Sequence, residues 1–339
     1  MKVLFIGGTG TISMAITKEL ARRNVDLYLL NRGSRAKELP ENVKLINADI
    51  KDEESVKEKI KDLQFDSVCD FIGFVKEDVE RDYRLFKDKT KQYMYISSAS
   101  AYNKPSRSYI INEGTTLANP YWLYSRNKIA CEEFLMKMYR ENGFPITIIR
   151  PSHTYDERSV PLGVHGKNGS YQVIKRMLEG KPVIIHGDGT SLWTMTHNSD
   201  FAIGFFGLVG NPHAIGEAFQ ITNDETLTWN QIYETIAKVL NVKLNAYHVS
   251  SDFLASCSDY DFEGGLMGDK ACSVVFDNTK LKKAVPEFKP IVHFEDGIRK
   301  TIENVLNNPS LQKEDKEFDE WCDKVIDALE NAKKEIINK

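Results

Sequence analysis

Apolar positions follow two periods that alternate along the first half of the chain. Short segments at residues 3–6, 26–30, 43–47, 67–70, 92–97 and 146–149 are centred on apolar runs, the pattern of strands covered on both faces. Between them lie stretches with apolar residues at helical spacing, over 11–23, 53–63, 79–86 and 124–142. Val56, Ile60 and Leu63 share one face of the second. Gly143-Phe144-Pro145 ends the fourth, because glycine closes a helix and proline cannot extend one. Strands alternating with helices predict an α/β fold: a doubly wound parallel sheet whose ligand site lies beyond the carboxyl ends of the strands.

After Arg150-Pro151 the alternation loosens. Strands over 183–186, 218–221 and 245–249 and helices over 172–179, 201–209 and 229–240 follow no regular order. This predicts a first domain over 1–150, its sheet completed by later segments, and a smaller α/β lobe over 151–308 for substrate. Residues 256–270, rich in Gly, Asp and Ser, read as a mobile loop. Phe318, Trp321, Cys322, Val325, Ile326 and Leu329 line one stripe of a charged helix over 312–338. Residues 309–339 are therefore expected to form an added C-terminal helix, docked on the body or on a second subunit.

Composition narrows the function. A formal net charge of −4 speaks against a sequence-independent nucleic-acid binder, which shows a basic face. No run reaches the roughly 18 apolar residues of a membrane span, and the first strand meets glycines too soon for a signal peptide. Cys69, Cys131, Cys257, Cys272 and Cys322 are scattered without a C-x-x-C pair. Disulfides and structural zinc are therefore not expected, and a reducing cytoplasm is. His153 and His197 lack a third ligand at metal-binding spacing, so no metal is expected.

The chemistry gathers at the ends of the predicted strands. Gly7-Gly8-Thr9-Gly10-Thr11-Ile12-Ser13 stands between the first strand and the first helix. Glycines there let the backbone turn sharply and approach a pyrophosphate, and the helix start offers that anion N–H groups and a positive dipole end. Ser13 takes the last small position of the usual G-x-G-x-x-G/A. Gly7, Gly10, Thr11 and Ile12 are candidate dinucleotide ligands. Tyr124 and Lys128 lie four residues apart on one helix face. A nearby ammonium favours phenolate and draws a phenol down from its usual value of about 10, toward neutral acid–base work. Such pairs are common on helix surfaces; the position after the fifth strand of this sheet is what points to catalysis. Ile96-Ser97-Ser98-Ala99-Ser100 closes that strand, and the hydroxyls of Ser98 and Ser100 are candidates to bind a substrate oxygen.

The glycine turn, Ala48-Asp49-Ile50, Ser97-Ser98-Ala99, Tyr124-x-x-x-Lys128, Arg150-Pro151-Ser152-His153 and Asp277-Asn278-Thr279-Lys280 occur in one order over roughly residues 1–308. In that order and spacing the chain resembles the extended short-chain dehydrogenase/reductases, the group of NAD(P)-dependent sugar epimerases and dehydratases. The resemblance implies a Rossmann-type sheet, an NAD(P) cofactor, a keto intermediate on a sugar or nucleotide sugar, and a homodimer. It makes Tyr124 the catalytic acid/base, Lys128 the residue that holds the nicotinamide ribose and tunes Tyr124, and Ser98 the ligand of the reacting oxygen. Asp49 and Ile50 would flank the adenine, and Phe71 and Gly73 would line the cofactor. Pro151 and Ser152 would lie beside the nicotinamide, and His153 would face substrate.

Three departures bear on substrate and cofactor. Asn31-Arg32 ends the second strand, where an NAD enzyme carries an acid for the ribose hydroxyls. Arg32 could pair with a 2′-phosphate, which leans toward NADP; a solvated Arg32 with NAD bound is the alternative. Trp193 stands where the family often has an arginine for a sugar nucleotide's diphosphate. An indole can stack on a sugar or a base but cannot neutralise a diphosphate. That leaves a sugar without a nucleotide, or a nucleotide sugar held by other cations, with Lys167, Lys175 and Arg176 as candidates. Ala99-Ser100 replaces the Asp-Glu pair of the dehydratases, favouring epimerisation or simple redox. Two further readings stay open: an NADPH-dependent ketone reductase of a non-nucleotide substrate, and a non-catalytic nucleotide- or RNA-binding relative, since some chloroplast relatives bind stem-loop RNA.

Overall fold

The computed structural model describes residues 1–33, 35 and 38–338. Seven strands form the central sheet: β1 (Lys2–Ile6), β2 (Asp26–Asn31), β3 (Lys44–Asn47), β4 (Ser67–Asp70), β5 (Tyr93–Ile96), β6 (Ile146–Pro151) and β7 (Glu217–Ile221). Their order is β7-β6-β5-β4-β1-β2-β3, and every neighbouring pair is parallel. The strand order reverses between β1 and β4, the crevice where doubly wound sheets take ligands.

Alternation along each strand sends side chains to two cores. Val3, Phe5, Leu27, Leu29, Met94 and Ile96 pack with Ile16 and Leu20 of α1 (Thr11–Arg22) and Phe201 and Phe205 of α5 (Asn198–Leu208). Leu4, Ile6, Leu30, Tyr93 and Tyr95 pack on the other face. There they meet α2 (Glu53–Ile60), α3 (Lys76–Phe86) and α4 (Leu123–Asn142) through Val56, Val79, Cys131 and Leu135. Burial on both faces is why these strands read as apolar runs.

The chain divides into two compact units. The first comprises residues 1–154, 194–224 and 275–291; the second comprises 155–193, 225–274 and 292–339. The division is thus discontinuous, and β7 belongs to the sheet of the first unit rather than to a second lobe. Phe219 and Ile221 of β7 are buried in the core that holds α5, which gives that strand its place beside β6. The Asp277-Asn278-Thr279-Lys280 segment secures it. Asn278 Nδ2 donates to the Thr222 carbonyl at 2.8 Å, and Lys280 Nζ donates to the Ala218 carbonyl at 2.8 Å.

In the second unit, strand Val183–His186 pairs in parallel with Ala246–Val249. The C-terminal helix Lys316–Ile337 is part of this unit. Arg176, almost fully buried, holds it by ion pairs to Asp319 and Asp323, each at 2.7 Å. Lys175 pairs with Glu314 at 2.7 Å, and Lys167 with Glu317 at 3.5 Å. These three cations, read above as possible diphosphate ligands, thus face acids in or just before the C-terminal helix. Residues 256–270 depart from the expected loop. A short helix, Ser251–Ser256, is followed by a π-helical turn over Glu263–Lys270 in which Leu266 is fully buried. Phe262 and Leu266 supply apolar anchors that outweigh the glycines around them. Among the described residues no helix is long and apolar enough to cross a membrane.

Candidate active site

The candidate residues of the first unit sit where β1, β2, β3, β4, β5 and β6 end. After β1, helix α1 starts at Thr11 with no acid in its first turn. By contrast, α2 opens on Glu53 and Glu54, and α3 on Glu77 and Asp78. Acids normally collect at a helix start, so the positive end of α1 is not offset by its own first turn. The turn before it is rigidly built. Ser13 Oγ accepts the Gly10 N–H at 2.8 Å, and Thr17 Oγ1 donates to the Gly8 carbonyl at 2.9 Å. Gly8 has φ +93°, and a Cβ there would stand 2.7 Å from Leu29; only glycine fits. Gly7, Thr11 and Ile12 are half-buried and Gly10 is exposed. These residues fit a dinucleotide pyrophosphate.

At the end of β2, Asn31 Nδ2 donates to the Gly7 carbonyl at 3.1 Å and Asn31 Oδ1 accepts the Gly33 N–H at 2.8 Å. Asn31 therefore ties the strand end to the glycine turn. Arg32 is exposed. Sequence reading missed Arg35, whose Nη1 donates to the Thr9 carbonyl at 2.9 Å and brings a second guanidinium to that turn. Past β3, Asp49 is exposed and accepts the Lys51 N–H at 3.0 Å, while Ile50 is buried.

The end of β4 is organised by Asp70, which is fully buried. Its Oδ1 accepts the N–H groups of Ile72 and Gly73 at 2.9 and 3.0 Å. Burial pushes the Asp70 carboxyl up, against those N–H groups and the Lys128 ammonium. A Cβ on Gly73 would lie 2.2 Å from Asp70 Oδ2, so the turn closes only with glycine. Phe71 packs edge-on to Phe5 with centroids 4.9 Å apart. The Gly73 carbonyl accepts Lys128 Nζ at 2.7 Å, and the Ile96 carbonyl accepts it from the other side, also at 2.7 Å. An ammonium has three N–H donors, so one is left for a ligand. The rings of Phe74, Tyr95 and Tyr124 surround Nζ, with centroids 4.9, 4.9 and 5.8 Å away. Burial holds the Lys128 ammonium down at about 8, with Asp70 pulling the other way. Tyr124 is half-buried, one turn before Lys128 on α4.

Ser98, at the end of β5, is half-buried. Ser100 was expected beside substrate, but it is buried behind Ser98, between it and Ser125 of α4. Its Oγ stands 2.9 Å from Ser98 Oγ and accepts from Ser125 Oγ at 2.7 Å. At the end of β6, Arg150 makes a buried, bidentate ion pair with Glu132, at 3.0 and 2.6 Å. Glu132 lies one turn beyond Lys128 on α4, so this pair fixes the helix that carries Tyr124. Nothing in the local sequence announces a partner 18 positions away. Pro151 is buried. Ser152 Oγ donates to the Thr194 carbonyl at 3.2 Å, and His153 is half-buried. Trp193 belongs to the second unit, where it is buried and stacks on Trp229 with centroids 6.2 Å apart. Sequence reading expected this indole beside substrate; the structure packs it in an aromatic pair. Among the described residues no group of three His, Cys, Asp or Glu side chains could hold a metal.

A glycine turn at a helix start and a tyrosine–lysine pair thus stand at the strand tips of a parallel, doubly wound sheet. The chain belongs to the NAD dependent epimerase/dehydratase family, whose model matches residues 3–222. Among curated proteins it is similar to the chloroplast stem-loop binding protein of 41 kDa b of Arabidopsis thaliana. That match is 27% identical over 250 residues, 70% of this chain and 62% of that protein. The 2'-dehydrokanamycin reductase of Streptomyces kanamyceticus is 21% identical, over 85% of this chain and 80% of its own. The dTDP-glucose 4,6-dehydratase of Escherichia coli is 24% identical, over 91% and 93%. The fold matches the UDP-glucuronic acid 4-epimerase of Bacillus cereus solved with UDP-glucuronic acid and NAD. There the TM-score is 0.72 and the identity 18%, over 91% of this chain and 99% of that one.

Proposed function

We propose that this chain is an NADP(H)-dependent oxidoreductase-type enzyme acting on a secondary alcohol or ketone carbon of a sugar, with Tyr124 as acid/base. The observation that carries this reading is Lys128. Its ammonium is fixed by the Gly73 and Ile96 carbonyls, keeps one donor in reserve and lies below the Tyr124 ring. A nicotinamide, when bound, supplies the hydride acceptor or donor. Gly7, Gly10, Thr11 and Ile12 would hold its pyrophosphate, and the third Lys128 N–H its ribose. Asp49 and Ile50 would flank the adenine. Phe71, Gly73, Pro151 and Ser152 would line the rest.

Tyr124 takes the hydroxyl proton of the substrate as the carbon becomes a ketone, and returns it on reduction. The Lys128 charge favours the phenolate in that exchange. Ser98 hydrogen-bonds the same oxygen, and His153 faces substrate. Holding these groups in place is the main contribution of the protein. Arg32 and Arg35 favour a 2′-phosphate, hence NADP over NAD. Ala99 and Ser100 offer no acid pair for water loss, which favours epimerisation or reduction over dehydration.

A second reading, a ketone reductase of a non-nucleotide sugar, is favoured by two observations. Arg176, Lys175 and Lys167 face acids of their own unit, and the likeness to 2'-dehydrokanamycin reductase covers most of both chains. An epimerase returns its cofactor each cycle and a reductase consumes it. The test offers UDP-glucuronic acid, UDP-glucose, dTDP-glucose and 2'-dehydrokanamycin to the full chain with NADP+ or NADPH. Product analysis is run beside nicotinamide absorbance. Turnover of any one supports the enzyme reading, and steady loss of NADPH selects the reductase. If none turns over and neither nucleotide binds, the chain is a non-catalytic relative.

A further inference from the structure

We propose that Ser100 and Ser125 are positioning residues that lock the Ser98 hydroxyl as a hydrogen-bond donor. A serine hydroxyl has one proton to give and two lone pairs to receive. Ser98 Oγ accepts the Ser100 backbone N–H at 3.1 Å and stands 2.9 Å from Ser100 Oγ. Ser125 Oγ donates to Ser100 Oγ at 2.7 Å. Among the described residues Ser100 Oγ has only Ser125 and Ser98 as hydrogen-bond partners, so once it takes the Ser125 proton its own buried proton finds an acceptor only in Ser98. Both lone pairs of Ser98 are then filled, and its own proton points out of the chain. The order is anchored at its buried end: Ser125 and Ser100 are inaccessible, and Asn119 Nδ2 holds the Ser100 carbonyl at 2.9 Å. Ser98, only half-buried, is the open end.

The consequence for chemistry rests on the reading of Ser98 as the ligand of the reacting oxygen. A serine fixed as donor grips a ketone or alkoxide oxygen and cannot take a proton from an alcohol. Proton transfer is then left to Tyr124 alone, and the site favours the keto form of its substrate. Ser125 stands one position after Tyr124 on α4, so one helix turn sets both the acid/base and the polarity of the oxygen ligand.

Neutron diffraction from full-chain crystals exchanged into heavy water reads the polarity directly, with no substrate needed. The expected result is a Ser125 deuteron directed at Ser100 and a Ser100 deuteron directed at Ser98. In Ser125→Ala, Ser98 is released and its deuteron turns toward Ser100; in Ser125→Thr the original order returns. A Ser98 deuteron already on Ser100 in the unaltered protein overturns the proposal, as does an unchanged pattern in Ser125→Ala. On whichever sugar the panel above identifies, Ser125→Ala lowers kcat about tenfold with KM unchanged, the worth of one hydrogen bond, and Ser125→Thr recovers it. If no sugar in the panel turns over, the functional reading fails while the neutron result still decides the polarity.

Discussion

In the proposed mechanism Lys128 acts by being charged where burial disfavours charge. Its folded value of about 8 lies below the ordinary 10.5. Between those values the unfolded chain binds the extra proton, so this group adds stability as pH rises through that window. Turnover moves the other way. Above about pH 8 the ammonium is lost, and with it the charge that favours phenolate on Tyr124. The pH profile of kcat/KM is expected to fall above about pH 8, and Lys128→Arg should remove that fall while lowering the plateau. Tyr124→Phe should lower kcat by about 10²–10⁴, the usual range for loss of a general acid–base, with nucleotide affinity retained in a fluorescence titration. Residue-scale features of this kind were legible, because a tyrosine and a lysine four apart declare a shared helix face. Ser125 was not, since its partner Ser100 lies on another element and serine is common.

At the scale of elements, α1 and α4 carry much of the proposed site. The turn before α1 tolerates only glycine at position 8, where positive φ and the nearby Leu29 side chain both exclude a Cβ. Gly8→Ala should destabilise the protein by about 1–3 kcal/mol, the range for overpacking, and weaken nucleotide binding, both measurable by denaturant titration with and without NADPH. α4 is held by Arg150 and Glu132. Removing one charge of a buried pair strands the other, at about 3–5 kcal/mol. Glu132→Gln should therefore lower the denaturation midpoint and reduce kcat through displacement of Lys128. The first six strands were readable because each is a short apolar run bounded by turns. That later segments complete the sheet was expected, and β7 was recognisable as a strand; that β7 is the one which does so was not, because a segment of the second unit separates it in sequence from β6. The π-helical turn at Glu263–Lys270 was hidden by its glycines, which locally predict a loop.

At the scale of the molecule, the proposed preference for NADP rests on two arginines beyond β2, Arg32 and Arg35. Ligand bound at a hundredfold its Kd adds about 2.7 kcal/mol to stability. Thermal unfolding should therefore shift upward more with NADPH than with NADH at equal concentration, and Arg32→Asp should reverse that order. The class of fold was legible from periodicity alone; the substrate was not, because Trp193, the residue from which it was read, is buried against Trp229. The most direct measurement is a crystal structure of the full chain grown with NADPH. The diphosphate is expected at the start of α1 and the nicotinamide ribose on Lys128 Nζ, with the nicotinamide ring beside Tyr124. A nucleotide bound elsewhere, or Lys128 and Tyr124 left out of reach of the nicotinamide, would contradict the proposed site.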